Sequence, residues 1–187
     1  MRILTVRQPW AWAIIHGGKD VENRVRNIAG DYRGPVAIHV AGKYAEHVDS
    51  EALDDATERW HDQPGADCNR HPWTSNVGKI IGVVDLIDVH SPAPDLSRDD
   101  FCQSPMGDLC SPWAELESWH LVLANPRPLA EPIPYRGALG LRKTDFGVEG
   151  DWIVEYHEPC KWPCAGVGYG CPPSCHMEPV ARLVATS

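Results

Sequence analysis

The stretch Lys79-Ile80-Ile81-Gly82-Val83-Val84-Asp85-Leu86-Ile87-Asp88-Val89 constrains the fold more than any other part of this chain. Its long, β-branched, apolar run predicts a strand lying centrally in a sheet. Asp85 interrupts the run, and a carboxylate there is either turned outward or held by a partner in a pocket. Shorter strands are expected around it: residues 2–6, then Val36-Ala37-Ile38-His39-Val40 with Val36, Ile38 and Val40 on one face. Trp119-His120-Leu121-Val122-Leu123 gives another, followed by a proline-punctuated segment to Pro134, and residues 137–141 and 151–155 supply two closing strands. Pro9 suits the start of a short helix over residues 10–16, stopped by Gly17-Gly18, and residues 43–60 read as a second, mostly polar helix. Residues 61–78 and 91–112 read as long irregular loops. Seventeen prolines and sixteen glycines fit many turns and short elements. The expectation is a β-rich α+β fold, a small β-barrel that buries its own edges, with two or more flanking helices.

With 187 residues the chain can bury one substantial core. No run of about 18 apolar residues occurs, so no membrane span is expected. The first residues are too polar for a secretory signal, which points to a cytoplasmic protein whose seven cysteines are reduced thiols or metal ligands. The formal charge of −9 argues against a groove that tracks long duplex nucleic acid, since phosphate neutralisation needs a basic excess. Positive charge is concentrated early, at Arg7, Lys19, Arg24, Arg26 and Arg33, which favours recognition of a small ligand or single nucleotide.

Gly17-Gly18-Lys19-Asp20-Val21-Glu22-Asn23-Arg24 is the main candidate for chemistry. Lys19, Glu22 and Arg24 cannot all be buried without heavy cost unless they pair. In a strand Glu22 and Arg24 share one face, so a bend at the glycines is needed to bring Lys19 to them. The alternative is a solvated strand after a helix end. Lys19 with Glu22 or Asp85 would make an acid/base pair, with Lys19 or Arg24 available to stabilise an oxyanion. Trp10, at a helix start beside Gln8, is placed near such a cleft, where an indole stacks on a base; Trp12 is expected to pack elsewhere. Gln8 either reads a base edge or satisfies the helix N-terminus. His39 reads as a satisfied structural histidine.

Cys160-x3-Cys164-x6-Cys171-x3-Cys175 could surround one zinc ion, although the spacing departs from the usual two-residue knuckle. The alternative is a Pro/Gly-rich tail with free thiols. Cys68, Cys102 and Cys110 fall in irregular stretches, and their spacing with His71 gives little support for a further site. The expected division is a domain over residues 1–156 and a Cys/Pro/Gly-rich tail over residues 157–187.

Gly17-x-Lys19-x-x-Glu22-x-Arg24 resembles the G-x-K-x-x-E-x-R signature of ASCH domains, which have a PUA-like β-barrel fold. Arg7-Gln8-Pro9-Trp10-Ala11, Tyr32-Arg33-Gly34-Pro35, Ile38-His39, the Ile80–Val89 run, Ser111-Pro112-Trp113-Ala114, Trp119–Leu123 and Arg136-Gly137 are similar to further blocks of that family, in order, over about residues 2–142. The resemblance implies binding of RNA or a nucleotide in a cleft beside the signature. Gln8, Trp10, Lys19, Glu22, Arg24 and Arg33 are the expected ligand-binding residues, and no cofactor is required beyond a structural zinc in the tail. Some small members resemble acetylcytidine amidohydrolases, in which a lysine matching Lys19 activates a threonine three residues on, assisted by a carboxylate on a later strand. Here that threonine position is Glu22, while Asp85 stands near the strand carboxylate. An amidohydrolase acting on an acylated nucleoside through Lys19, Glu22 and Asp85 is therefore the alternative to a binding domain, and a protein-interaction module is a third.

Overall fold

The computed structural model describes residues 1–67, 69–92, 102, 109–156 and 177–184. Among these residues two helices and nine strands follow one another as β1 (Arg2–Val6), α1 (Trp10–His16), β2 (Val21–Arg24), β3 (Gly34–Val40), α2 (Glu51–His61), β4 (Lys79–His90), β5 (Trp119–Pro134), β6 (Leu141–Lys143), β7 (Phe146–Glu149), β8 (Trp152–Tyr156) and β9 (Met177–Arg182). The first six strands form one sheet in the order β2-β5-β4-β3-β1-β6, and the last three form a second. In the larger sheet β1 and β3 run parallel and the other pairs antiparallel. It curls as a half-barrel whose ends, β2 and β6, do not pair with each other.

The long apolar run takes the expected central place, since β4 pairs with both β3 and β5. Side chains alternate across this sheet and feed a core on each face. Leu4, Val6, Val36, Ile38, Val84, Leu86 and Leu121 pack with Ile14 and Ile15 of α1 on one face. Ile3, Ala37, Ile80, Val83 and Leu129 pack with Phe146, Ile153 and Ala181 of the smaller sheet on the other. Trp12, Ala13, Leu53, Ala56 and Trp113 make a third cluster, which fixes α2 to α1.

Several local expectations need correction. The second helix begins at Glu51 rather than near residue 43, because Ser50 caps it: its Oγ accepts from Leu53 N at 3.3 Å. The segment to Pro134 continues the strand opened at Trp119, and β5 reaches 16 residues. Register shifts along β4–β5 absorb its prolines. Residues 177–184, assigned by sequence to the tail, supply β9, which pairs with β8, and a bridge from Leu183 to Leu129. Cys160, Cys164, Cys171 and Cys175 lie outside the described residues.

His39 is buried, and its Nε2 lies 3.0 Å from the Tyr135 carbonyl oxygen, a structural role. Gly82 marks the tightest packing of α1 on the sheet. A Cβ there would sit 2.7 Å from both the Arg127 carbonyl oxygen and Ile15 Cδ1. Gly82→Ala is expected to cost about 1–3 kcal/mol by overpacking, read as a lower urea midpoint with an unchanged slope.

Candidate functional site

Helix α1 ends at the glycine pair, and Gly18 takes a left-handed φ of 78°. That turn returns the Lys19 N–H to the Ala13 carbonyl at 2.9 Å. Lys19 is thereby folded back against the start of its own helix and is only 5% exposed. Its ammonium lies between two indoles, 5.2 Å from the Trp10 ring centre and 5.3 Å from that of Trp113. Burial lowers the Lys19 pKa, while Glu22, Glu115 and Asp20 oppose that shift.

Strand β2 then carries Glu22 and Arg24 on one face. Their side chains pair at 3.0 Å, and Arg24 Nη2 also donates to the Thr5 carbonyl at 3.3 Å. Glu22 is 7% exposed, so the carboxylate is held inside by the guanidinium while its field reaches Lys19. The bend required by the sequence spacing exists: Lys19, Glu22 and Arg24 form one electrostatic cluster.

A cleft of about 390 Å³, within the ~300–1,000 Å³ range of small-molecule sites, opens on Lys19, with Glu22 and Arg24 set behind its lining. Trp10 and Lys19 form its floor, the start of α2 one wall, and Pro112, Trp113, Ala114 and Glu115 the other. Asp49, Glu51, Asp55 and Glu115 give this cleft four carboxylates against the two cations Lys19 and Arg59. An acidic rim disfavours phosphate inside the cleft and suits a neutral or cationic ring. A smaller cavity of about 170 Å³, lined by Ile14, Val84, Leu123 and Pro126, lies on another side of Lys19.

Three residues singled out in the sequence do not join this cluster. Gln8 is buried, and its Oε1 accepts from Trp12 N at 2.9 Å, which satisfies the helix N-terminus. Asp85 alternates away from Val84 and Leu86, which pack in the α1-facing core. Arg127 Nη2 and Asn125 Nδ2 donate to its two oxygens, and Asp85 is not among the carboxylates acting on Lys19. Arg33 is exposed, donates to the Gly30 and Tyr32 carbonyls, and pairs with Asp88 at 3.4 Å. Trp10 faces the cleft, whereas Trp12 is buried against Trp73.

The block over residues 111–114 is noted in the sequence only as a resemblance; its place as the far wall of the cleft is not foreseen there. Ser111 Oγ donates to Asp20 Oδ1 and accepts from Trp113 N at 3.0 Å, which ties that wall to the signature. Asn23 reinforces it: its Nδ2 donates to the Trp113 carbonyl at 2.9 Å and its Oδ1 accepts from Glu115 N at 3.2 Å. The polar pairs Asp20–Ser111 and Asn23–Trp113 are separated by about 90 residues in sequence. No local pattern announces them.

Behind that wall, His90, Cys102, Cys110 and His120 bring their ligand atoms within 4.8 Å of one another, and such a group can hold a metal ion. Burial, and then the neighbouring Cys102 thiol, push the Cys110 thiol up to about 12. Among the described residues this cluster, away from the tail, is where cysteines and histidines converge.

No curated protein matches the chain in sequence. A family model does: the ASCH domain, over residues 4–132. That span takes in α1, the signature, α2 and the strands β1 to β5 up to Pro132, and so both walls of the cleft. The family falls in the PUA-like superfamily and is associated with nucleic acid. With a match over more than half of its length, this chain belongs to the ASCH domain family.

Proposed function

We propose that this ASCH domain binds a single nucleobase, free as a nucleoside or presented by single-stranded RNA, in the cleft over Lys19. The observation that carries the reading is the pair of indoles, Trp10 and Trp113, on either side of a buried ammonium. Aromatic faces stack on any base, and an ammonium donates to a ring carbonyl or ring nitrogen. The surrounding carboxylates leave phosphates outside, so the base enters and the backbone stays in solvent. The acidic formal charge fits a one-base contact better than a long backbone track.

Calorimetric titration with cytidine, acetylcytidine and short single-stranded RNAs tests this. Trp10→Ala and Trp113→Ala are each expected to weaken binding by about 1–3 kcal/mol, the usual worth of one stacked base. Native affinity in both variants would show that the indoles are not the platform.

Amide hydrolysis is a second reading, favoured by a buried carboxylate and a buried ammonium, Glu22 and Lys19, whose charges act on each other. In it Glu22 takes a proton from water, the water oxygen adds to the acyl carbonyl, and the collapsing adduct expels the base amine, which takes up a proton. Lys19 stabilises the oxyanion. Asp85, held by Arg127 and Asn125, has no part in this step. Loss of acetyl from acetylcytidine, followed chromatographically, separates the readings: turnover by the native chain that disappears in Lys19→Ala replaces binding with catalysis.

A further inference from the structure

The Cys/His cluster lies at the mouth of the β4–β5 pair. His90 ends β4 and His120 is the second residue of β5, and the two are register partners on adjacent strands. Cys102 and Cys110 come from the connection between them, brought back by the Cys102 N–H, which donates to the Ser91 carbonyl at 3.4 Å. His120 is 1% exposed and Cys102 4%, whereas His90 is half-buried and Cys110 exposed, so the group is anchored inside and reaches the surface at Cys110.

We propose that His90, Cys102, Cys110 and His120 bind a zinc ion as a structural centre, fastening Cys102 and residues 109–120 to the β4–β5 pair. Two thiolates and two imidazoles are a donor set typical of tetrahedral zinc. The spacing agrees. Zinc bonds of ordinary length place a sulfur and a nitrogen about 3.6 Å apart across a tetrahedron, and Cys110 Sγ lies 3.6 Å from His120 Nδ1.

The surroundings of the four side chains are those of metal ligands. His120 Nε2 lies 2.8 Å from the Glu115 carbonyl oxygen, so its proton sits there and Nδ1 keeps a free lone pair. His90 Nε2 lies 3.4 Å from the Asp88 carboxylate. Its other nitrogen, Nδ1, is buried and has no hydrogen-bond partner among the described residues, which is costly for a polar atom unless something binds it. The Cys110 N–H donates to Cys102 Sγ at 3.3 Å, an arrangement that stabilises a thiolate. Zinc binding releases the two thiol protons, and the ion's charge supplies the compensation that a pair of adjacent thiolates lacks.

The consequence reaches the cleft. Cys110 directly precedes Ser111, and the Glu115 carbonyl that orients His120 belongs to the wall containing Trp113. The metal would therefore set the position of that wall without touching the ligand.

The test is zinc content by mass spectrometry of the full chain, purified with a thiol reductant from zinc-supplemented culture. Three further variants accompany it: Cys102→Ser with Cys110→Ser, His90→Gln alone, and a tail variant with Cys160, Cys164, Cys171 and Cys175 all changed to Ser. The tail variant is expected to retain about one zinc per chain. The Cys102/Cys110 variant should carry about one zinc fewer than the native chain, and His90→Gln, at a half-buried position, should lose its metal at lower chelator concentration. Cobalt replacement in the tail variant should give thiolate-to-metal charge-transfer bands that vanish when Cys102 and Cys110 are also changed. A tail variant without zinc, a Cys102/Cys110 variant with the native zinc content, or a Cys102–Cys110 disulfide found by non-reducing peptide mapping would each overturn the proposal.

Discussion

Lys19→Met is expected to lower the affinity for a nucleoside by between ten- and a hundredfold and to leave the fold intact. A hydrogen bond from a charged donor contributes about 1.5–3 kcal/mol, and the methionine has none to give. Stability should hold, because the buried ammonium is a burden as well as a tool. Its desolvation outweighs the carboxylates that oppose it, which is why its pKa lies below the ordinary lysine value. Methionine fills a similar volume between Trp10 and Trp113 and makes favourable sulfur–aromatic contacts. Glu22 keeps its Arg24 partner throughout. Calorimetry for affinity and a urea melt for stability measure the two halves of this expectation separately.

The same lysine gives a pH signature. Its pKa is lowered on folding from 10.5, so between the folded value and 10.5 the unfolded chain binds more protons at this site than the native one. Stability contributed by this group therefore rises with pH across that alkaline window and is absent below it. Ligand affinity that depends on the ammonium moves the opposite way and falls as pH rises through the folded value. Both trends should vanish in Lys19→Met.

Glu22→Ala carries the second large effect, a loss of roughly 2–4 kcal/mol of folding stability. The carboxylate is nearly enclosed, and its removal leaves the Arg24 guanidinium with the Thr5 carbonyl as its one acceptor among the described residues. Among those residues Arg24 Nε is already buried without a partner, so the guanidinium has little reserve of hydrogen bonds. Adding Arg24→Ala should recover part of the loss, because the uncompensated charge is then gone. Strict additivity of the two changes in denaturant melts would mean that the pair does not act as a unit.

The legible part of the fold is the part written in short-range periodicity. The Lys79–Val89 run, the 36, 38, 40 alternation and the proline-opened, glycine-closed helix each specify their own element, and each holds its place. Strand β9 escaped notice because Met177–Arg182 has no alternation to read and depends on pairing with β8. Within the site, Lys19, Glu22 and Arg24 were legible because buried charges at fixed offsets must find one another. Asp85 was ambiguous from sequence: a carboxylate in an apolar strand needs a partner, and only the register of β5 brings Arg127 and Asn125 to it. Gln8 presented the same ambiguity until the helix geometry put Trp12 N within its reach. The hydrogen bonds of Asp20 to Ser111 and of Asn23 to Trp113 join distant segments, as do the cysteines and histidines of the metal cluster. Their convergence is a product of the β4–β5 pairing and not of any local motif.

The claim at the centre of this account is that a base enters the cleft over Lys19, against Trp10 and the wall that carries Trp113. Indole N–H resonances in a ¹⁵N-labelled chain, assigned by single Trp→Phe changes, report on it directly during titration with cytidine and a short single-stranded RNA. The account expects saturable shifts at Trp10 and Trp113, with the exposed Trp152 of the smaller sheet unmoved. Binding that shifts Trp152 and leaves Trp10 and Trp113 unchanged would contradict it.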